Sequence, residues 1–127
     1  MDMQVNDLTE KIIGAAMKIH SALGPGLLES AYEICLIHEL HKLGIGVRSQ
    51  VPLPVVYEGL KLDAGYKLDL LVEDLVIVEL KAVDALNPVH EAQLLTYLKM
   101  SGKKIGLLIN FNVLHLKDGI RRLVNKL

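Results

Sequence analysis

Apolar side chains recur every three or four residues from Leu8 to Leu43, then every second residue or in unbroken runs, and return to helical spacing between Pro88 and Met100. The first stretch predicts a helix whose inward stripe is Leu8, Ile12, Ala15, Ala16 and Ile19, with Asn6 or Asp7 as its cap. Gly24-Pro25-Gly26 ends it near Leu23. A second helix is expected from about Leu27 to Leu43, carrying Leu28, Ala31, Tyr32, Cys35, Leu36 and Leu40, with Gly44 as its stop.

Three strands are expected next, at Val51–Tyr57, Tyr66–Val72 and Leu75–Ala82, with a turn at Glu58-Gly59. Pro52 and Pro54 push the first towards a sheet edge, because proline has no N–H to give to a ladder. Asn87 and Pro88 are the cap and first residue of a helix running to about Met100, ahead of Gly102. Lys104–Phe111 is apolar on both alternating faces, the mark of an interior strand, and Gly119–Val124 is a short last strand. The order is ααβββαβ(β). A helix between two strands implies a parallel crossover, so the class is α/β (α+β), one mixed sheet flanked by helices.

Charges within the second and third strands stand out. Leu68, Leu70, Val72, Val76, Val78 and Leu80 fall on one face by alternation, leaving Lys67, Asp69, Leu71, Ile77, Glu79 and Lys81 on the other. A two-residue turn at Glu73-Asp74 would pair Asp69 with Val78 and mix the faces; a three-residue loop through Leu75 pairs Asp69 with Glu79 and keeps them separate. The hydrophobic pattern favours the second register. Opposed carboxylates destabilise a strand pair by roughly 0.2–1 kcal/mol. A neighbouring lysine and a divalent cation would offset that, since hard cations are held by one or two carboxylates and keep positions open for a phosphate. The same residues also suit a strand pair with one wet face.

Composition narrows the choice. The chain has 127 residues, 51% hydrophobic and 23% charged, which fits one domain over residues 1–127 with a real core. Cys35 is the one cysteine, so no internal disulfide forms. The acidic N-terminus lacks the basic start and apolar stretch of a signal peptide, and no run has the length of a membrane helix; a cytoplasmic protein without membrane contact is expected. Net charge is only −1, but residues 1–98 carry about −7 and residues 99–127 about +6. Lys103, Lys104, Lys117, Arg121, Arg122 and Lys126 are either a phosphate-facing patch or a solvated basic tail.

The order of helix, acidic hairpin and crossover helix, with Asp69 followed by Glu79-Leu80-Lys81, resembles the PD-(D/E)XK nuclease superfamily and its restriction-endonuclease-like core. Gly26-Leu27-Leu28-Glu29-Ser30-Ala31-Tyr32 reads as G-x-x-E-x-x-Y, the signature of the GxxExxY family within it; the blocks at Gln50–Leu53, Leu68–Val72, Val78–Ala82, Gln93–Leu98 and Leu108–Phe111 are similar too. The resemblance implies a nuclease, a hydrolase of DNA or RNA using Mg²⁺ or Mn²⁺. It implies metal ligation by Asp69, Glu79 and the Leu80 carbonyl, with Lys81 activating water and stabilising transition-state charge, and Glu29 and Gln93 completing the site. Gln93 and Tyr97 share a helical face, as do Glu29, Tyr32 and Glu33. Tyr32 and Tyr97 are accessory candidates for stacking or hydrogen bonding, or else core residues with tethered hydroxyls.

Other chemistries lack their parts. Cys35 and His38 have no second pair to complete a zinc site, His90-Glu91 lacks the second histidine of a zincin helix, and Ser101-Gly102-Lys103-Lys104 follows a helix where a P-loop would precede one. Two alternatives to an enzyme remain: a non-catalytic nucleic-acid-binding module, and a structural subunit of a larger assembly. A domain this small can hardly wrap a duplex alone, so a homodimer is the expected state.

Overall fold

In the computed structural model, which describes residues 2–62 and 65–126, three helices enclose a five-stranded sheet. The elements are α1 (Asp2–Leu23), α2 (Glu29–Lys42), β1 (Val47–Pro52), β2 (Val55–Tyr57), β3 (Leu60–Leu62), β4 (Lys67–Val72), β5 (Val76–Lys81), α3 (Pro88–Ser101), β6 (Ile105–Asn110) and β7 (Ile120–Val124), with a 3₁₀ turn at Leu116–Gly119. The sheet order is β1-β4-β5-β6-β7, with β5 and β6 parallel and the other neighbours antiparallel. The mixed α+β class, the crossover through α3, the edge position of β1 and the closing strand β7 all match the reading of the sequence.

Two apolar layers hold this arrangement. The α1 stripe and Tyr32, Leu36 and Leu40 of α2 cover one face, meeting Leu70, Val72, Val76, Val78 and Leu80. Leu94, Tyr97 and Leu98 of α3 cover the other, over Leu53, Leu68, Leu71, Ile77 and Leu108. All six residues of β6 are buried, as expected of an interior strand. Gly106 of β6 lets α3 approach: a Cβ there would stand 3.0 Å from Leu94 Cδ1.

Three local expectations need correction. The strand expected at Val51–Tyr57 is two: β1 begins earlier, at Val47, and after Pro54 the chain enters a separate hairpin, β2–β3, turning at Glu58-Gly59 with both residues in the left-handed region. Helix α1 extends upstream of Asn6, whose side-chain oxygen accepts a bond from Arg122 of β7 (2.8 Å) and so is occupied by a tertiary contact instead of serving as the cap. Leu68 packs under α3, not with Leu70, because alternation along β4 breaks at Asp69.

Candidate active site

The β4–β5 turn is the three-residue loop that the hydrophobic pattern favours: Val72 pairs with Val76 and Leu70 with Val78, and Glu73 and Asp74 take left-handed φ. That register sets Asp69 opposite Glu79, yet the ladder stops at Leu70/Val78 and does not include them. Crossed hydrogen bonds replace it. The Asp69 N–H donates to Glu79 Oε2 (2.8 Å), and the Leu80 N–H donates to Asp69 Oδ2 (2.9 Å). The acids have entered the seam between the strands, and each holds the other strand's backbone.

Burial and mutual repulsion then govern their charge. Burial, together with the field of Asp69, pushes the Glu79 carboxyl up to about 8, against the opposing pull of the Asp69 amide and Lys81. Asp69 is also raised, chiefly by burial and further by Glu29, while the Leu80 amide, Lys81 and the Gln50 side chain act the other way. Glu79 is 5% exposed and lies at the end of β5 where Tyr97 of α3 arrives; burial raises the Tyr97 hydroxyl, and Glu79, Tyr66 and Asp69 add to it. Tyr66 meets Tyr97 edge-on, with ring centroids 6.5 Å apart. Lys81, Glu29 and Tyr97 thus all lie within reach of the fields of Asp69 and Glu79.

Asp69 opens into a cleft of about 220 Å³ whose other walls are Glu29, Ser30, Glu33, Gln50 and Leu80. Three of these, Ser30, Glu33 and Gln50, have no role in the sequence reading. Glu33 Oε1 accepts from Gln50 Nε2 (2.8 Å), and burial raises the Glu33 carboxyl, aided by Asp69 and opposed by Gln50. Its place one helical turn after Glu29 was the available signal. Asn110 was likewise missed: 1% exposed, it donates to the Val83 carbonyl and accepts from the amides of Val83 and Asn112. It pairs with Lys81 in the parallel ladder and so fixes the chain immediately beyond the lysine.

The G-x-x-E-x-x-Y segment proves to be a structural unit. Gly24 and Gly26 take left-handed φ of 71° and 103°, and the Tyr32 hydroxyl donates to the Gly24 carbonyl (2.6 Å) and accepts from the Leu27 amide (3.1 Å). Tyr32 is fully buried and stacked on Phe111, with centroids 4.3 Å apart. No surface is left on it for a base, which corrects the stacking reading in favour of the tethered hydroxyl. Its function is to fasten the loop that delivers Glu29, the first residue of α2, to the cleft.

Other candidates fall farther out. Gln93 is exposed on α3, one turn before Tyr97, and no side-chain hydrogen bond ties it to the acids among the described residues. The basic residues do not gather at the acids. Lys103 pairs with Asp74 at the β4–β5 turn (3.3 Å), beside the start of β6. Because β5 and β6 run parallel, that turn is the far end of the sheet from Lys81, about 16 Å along β5 at 3.3 Å per residue. Lys104 is at the same end; Arg122, level with Leu107, bonds Asn6; Arg121, level with Leu108 and so with Glu79, bonds the carbonyls of Asp118 and Ile120; and Lys117 lies on the 3₁₀ turn that packs against Asn110. The candidate basic residues are therefore spread from one end of the sheet to the other and do not form one patch.

With this geometry in place, comparison adds the family. A family model described as the PD-(D/E)XK nuclease superfamily matches residues 6–123, and the chain belongs to that superfamily. No curated protein and no solved structure matches the chain. Members of the superfamily usually use divalent metals, and the donors here suit a hard ion: carboxylate oxygens and the Leu80 carbonyl, with no sulfur among them. Among the described residues no three His, Cys, Asp or Glu side chains converge to cage an ion by themselves. Nor does any described helix have the length and apolarity to cross a membrane.

Proposed function

We propose that the chain is a Mg²⁺- or Mn²⁺-dependent nuclease of the GxxExxY kind, hydrolysing phosphodiester bonds of DNA or RNA at Asp69, Glu79 and Lys81. The observation that carries this is the buried Glu79 and half-buried Asp69 set against each other by crossed hydrogen bonds to the opposite strands, with a lysine two residues on along β5. A cation would offset both the burial and the repulsion.

The residues divide the work. Asp69 and Glu79 each give one oxygen to a backbone amide, which fixes their orientation, and the Leu80 carbonyl adds a neutral donor. Two carboxylates and a carbonyl would hold a hard cation and leave room beside it for water and phosphate, the usual arrangement for magnesium at phosphoryl sites. The ion, when bound, polarises the phosphate and lowers the pKa of bound water. Lys81 supplies positive charge as the phosphorus takes on a fifth oxygen. Water adds to phosphorus, the bond to one ester oxygen breaks, and that oxygen leaves with a proton. Glu29 and Glu33, across the cleft, face the incoming water. The acids and Lys81 all come from one chain, so the expected homodimer gains no support from the site.

The test is cleavage of single- and double-stranded DNA and RNA in Mg²⁺ or Mn²⁺, with chelator and with Asp69→Ala and Lys81→Ala. The expected result is chelator-sensitive cleavage reduced at least about 100-fold in either variant. Binding without cleavage would instead identify a nucleic-acid-binding module, and neither binding nor metal affinity would identify a structural subunit.

A further inference from the structure

Four non-glycine residues among those described take left-handed φ, and three of them sit in hairpin turns where that conformation makes the turn: Glu58, Glu73 and Asp74. The fourth, Gln50 (φ 51°), lies inside strand β1. The β1–β4 ladder runs in one register on either side of it, Ser49 with Leu70 and Val51 with Leu68, and omits the pair between, Gln50 and Asp69. No residue is inserted in either strand, so the irregularity is not a bulge that accommodates an extra residue.

A left-handed φ in a strand is unfavourable for any residue with a side chain, and asparagine or glycine tolerates it best. Glutamine has no such backbone advantage. Its distinction is reach: Gln50 Nε2 spans to Glu33 Oε1 at 2.8 Å, from the edge strand to α2 across the mouth of the cleft. Asparagine, one methylene shorter, would suit the backbone and miss the carboxylate. The observed residue is the one the bond requires.

We infer that Gln50 is a positioning residue, held in a strained backbone conformation opposite Asp69 so that its amide fixes the Glu33 carboxylate at the cleft. Glu33 is thereby a fixed acid of the site, set to orient water beside Asp69. The inference rests on the nuclease reading and deepens it by two residues to which the superfamily resemblance assigned no part.

Gln50→Asn and Gln50→Gly test it, because both relieve the backbone while removing the reach. Three readouts are needed: melting temperature without metal, Mn²⁺ affinity by calorimetry, and kcat and KM on the best substrate found. Both variants should melt higher than wild type, by roughly 3 °C or more. Cleavage should fall about tenfold in kcat, with KM changed less than about twofold, as for a group that acts only on the chemical step. A purely structural Gln50 would give variants that melt lower, which overturns the inference. Variants that melt higher yet cleave as wild type also overturn it and leave the nuclease reading standing. A wild type that neither binds Mn²⁺ nor cleaves removes the nuclease reading, and this one with it.

Discussion

Glu79 shows how burial turns a charge into a pH response. Its carboxyl is pushed up to about 8 by burial and by Asp69, from an ordinary 4.5. Between those values the folded chain holds a proton that the unfolded chain has released, so stability falls as pH rises through the interval and levels off above it. Asp69 is shifted in the same direction and adds to the trend. The metal-free protein should therefore lose up to a few kcal/mol between about pH 4.5 and pH 8, and Glu79→Gln should remove most of that slope. Thermal melts across the interval measure it; a wild-type melting temperature that is flat or rises with pH would contradict the assignment. A bound cation competes with the same protons, so saturating Mn²⁺ should flatten the slope too.

Tyr32 illustrates the opposite case, a polar group whose whole use is structural. Tyr32→Phe keeps the stack on Phe111 and orphans the Gly24 carbonyl and the Leu27 amide. A loss of about 1–2 kcal/mol in denaturant unfolding is expected, the cost of leaving partly buried polar groups unpaired.

Among the elements, the Gly24–Leu28 loop and the 3₁₀ turn hold the site from two sides. Gly26 has φ 103° and open space around a would-be Cβ, so Gly26→Ala is strained by backbone alone, by about 1–3 kcal/mol, and should displace Glu29. Gly119 is different: a Cβ there would collide with the Asn110 carbonyl oxygen and crowd Val113. Gly119→Ala should unseat the 3₁₀ turn from Asn110 and lower the melting temperature more than Gly26→Ala does. Equal effects in scanning calorimetry would show that the two loops differ less than their geometry implies.

These elements also mark what could be read without coordinates. The helix stops at Gly44 and Gly102, the Asn87-Pro88 start of α3 and the three-residue β4–β5 loop all follow from local chemistry, and the Asn87 side chain does accept from the amides of Val89 and His90. The opposition of Asp69 and Glu79 followed from the same alternation. What stayed hidden depends on places where alternation fails. Leu68 changes layer because β4 is irregular at Asp69, and nothing in the run Lys67–Val72 announces that. The left-handed φ of Gln50 is equally silent, since the residue type argues against it. Hairpin β2–β3 was missed because Leu60–Leu62 is too short to stand out.

At the scale of the molecule, the sheet separates the acids from part of the basic set. The acids lie where β4 begins and β5 ends, whereas Lys103 and Lys104 lie at the opposite end, and Lys103 is already paired with Asp74. Neutralising Lys103 should thus leave cleavage within about twofold while weakening the hold of the β4–β5 turn slightly, by at most about 1 kcal/mol for an exposed pair. A large loss of substrate affinity in Lys103→Ala would mean that nucleic acid crosses the far end of the sheet.

For the site to act as proposed, Asp69 and Glu79 must grip one ion in the seam between β4 and β5. Calorimetric titration of Mn²⁺ into the purified protein at pH 8 tests this directly. The prediction is a single saturable site that Asp69→Ala abolishes. Heat of binding that is absent from wild type, or unchanged in Asp69→Ala, would contradict it.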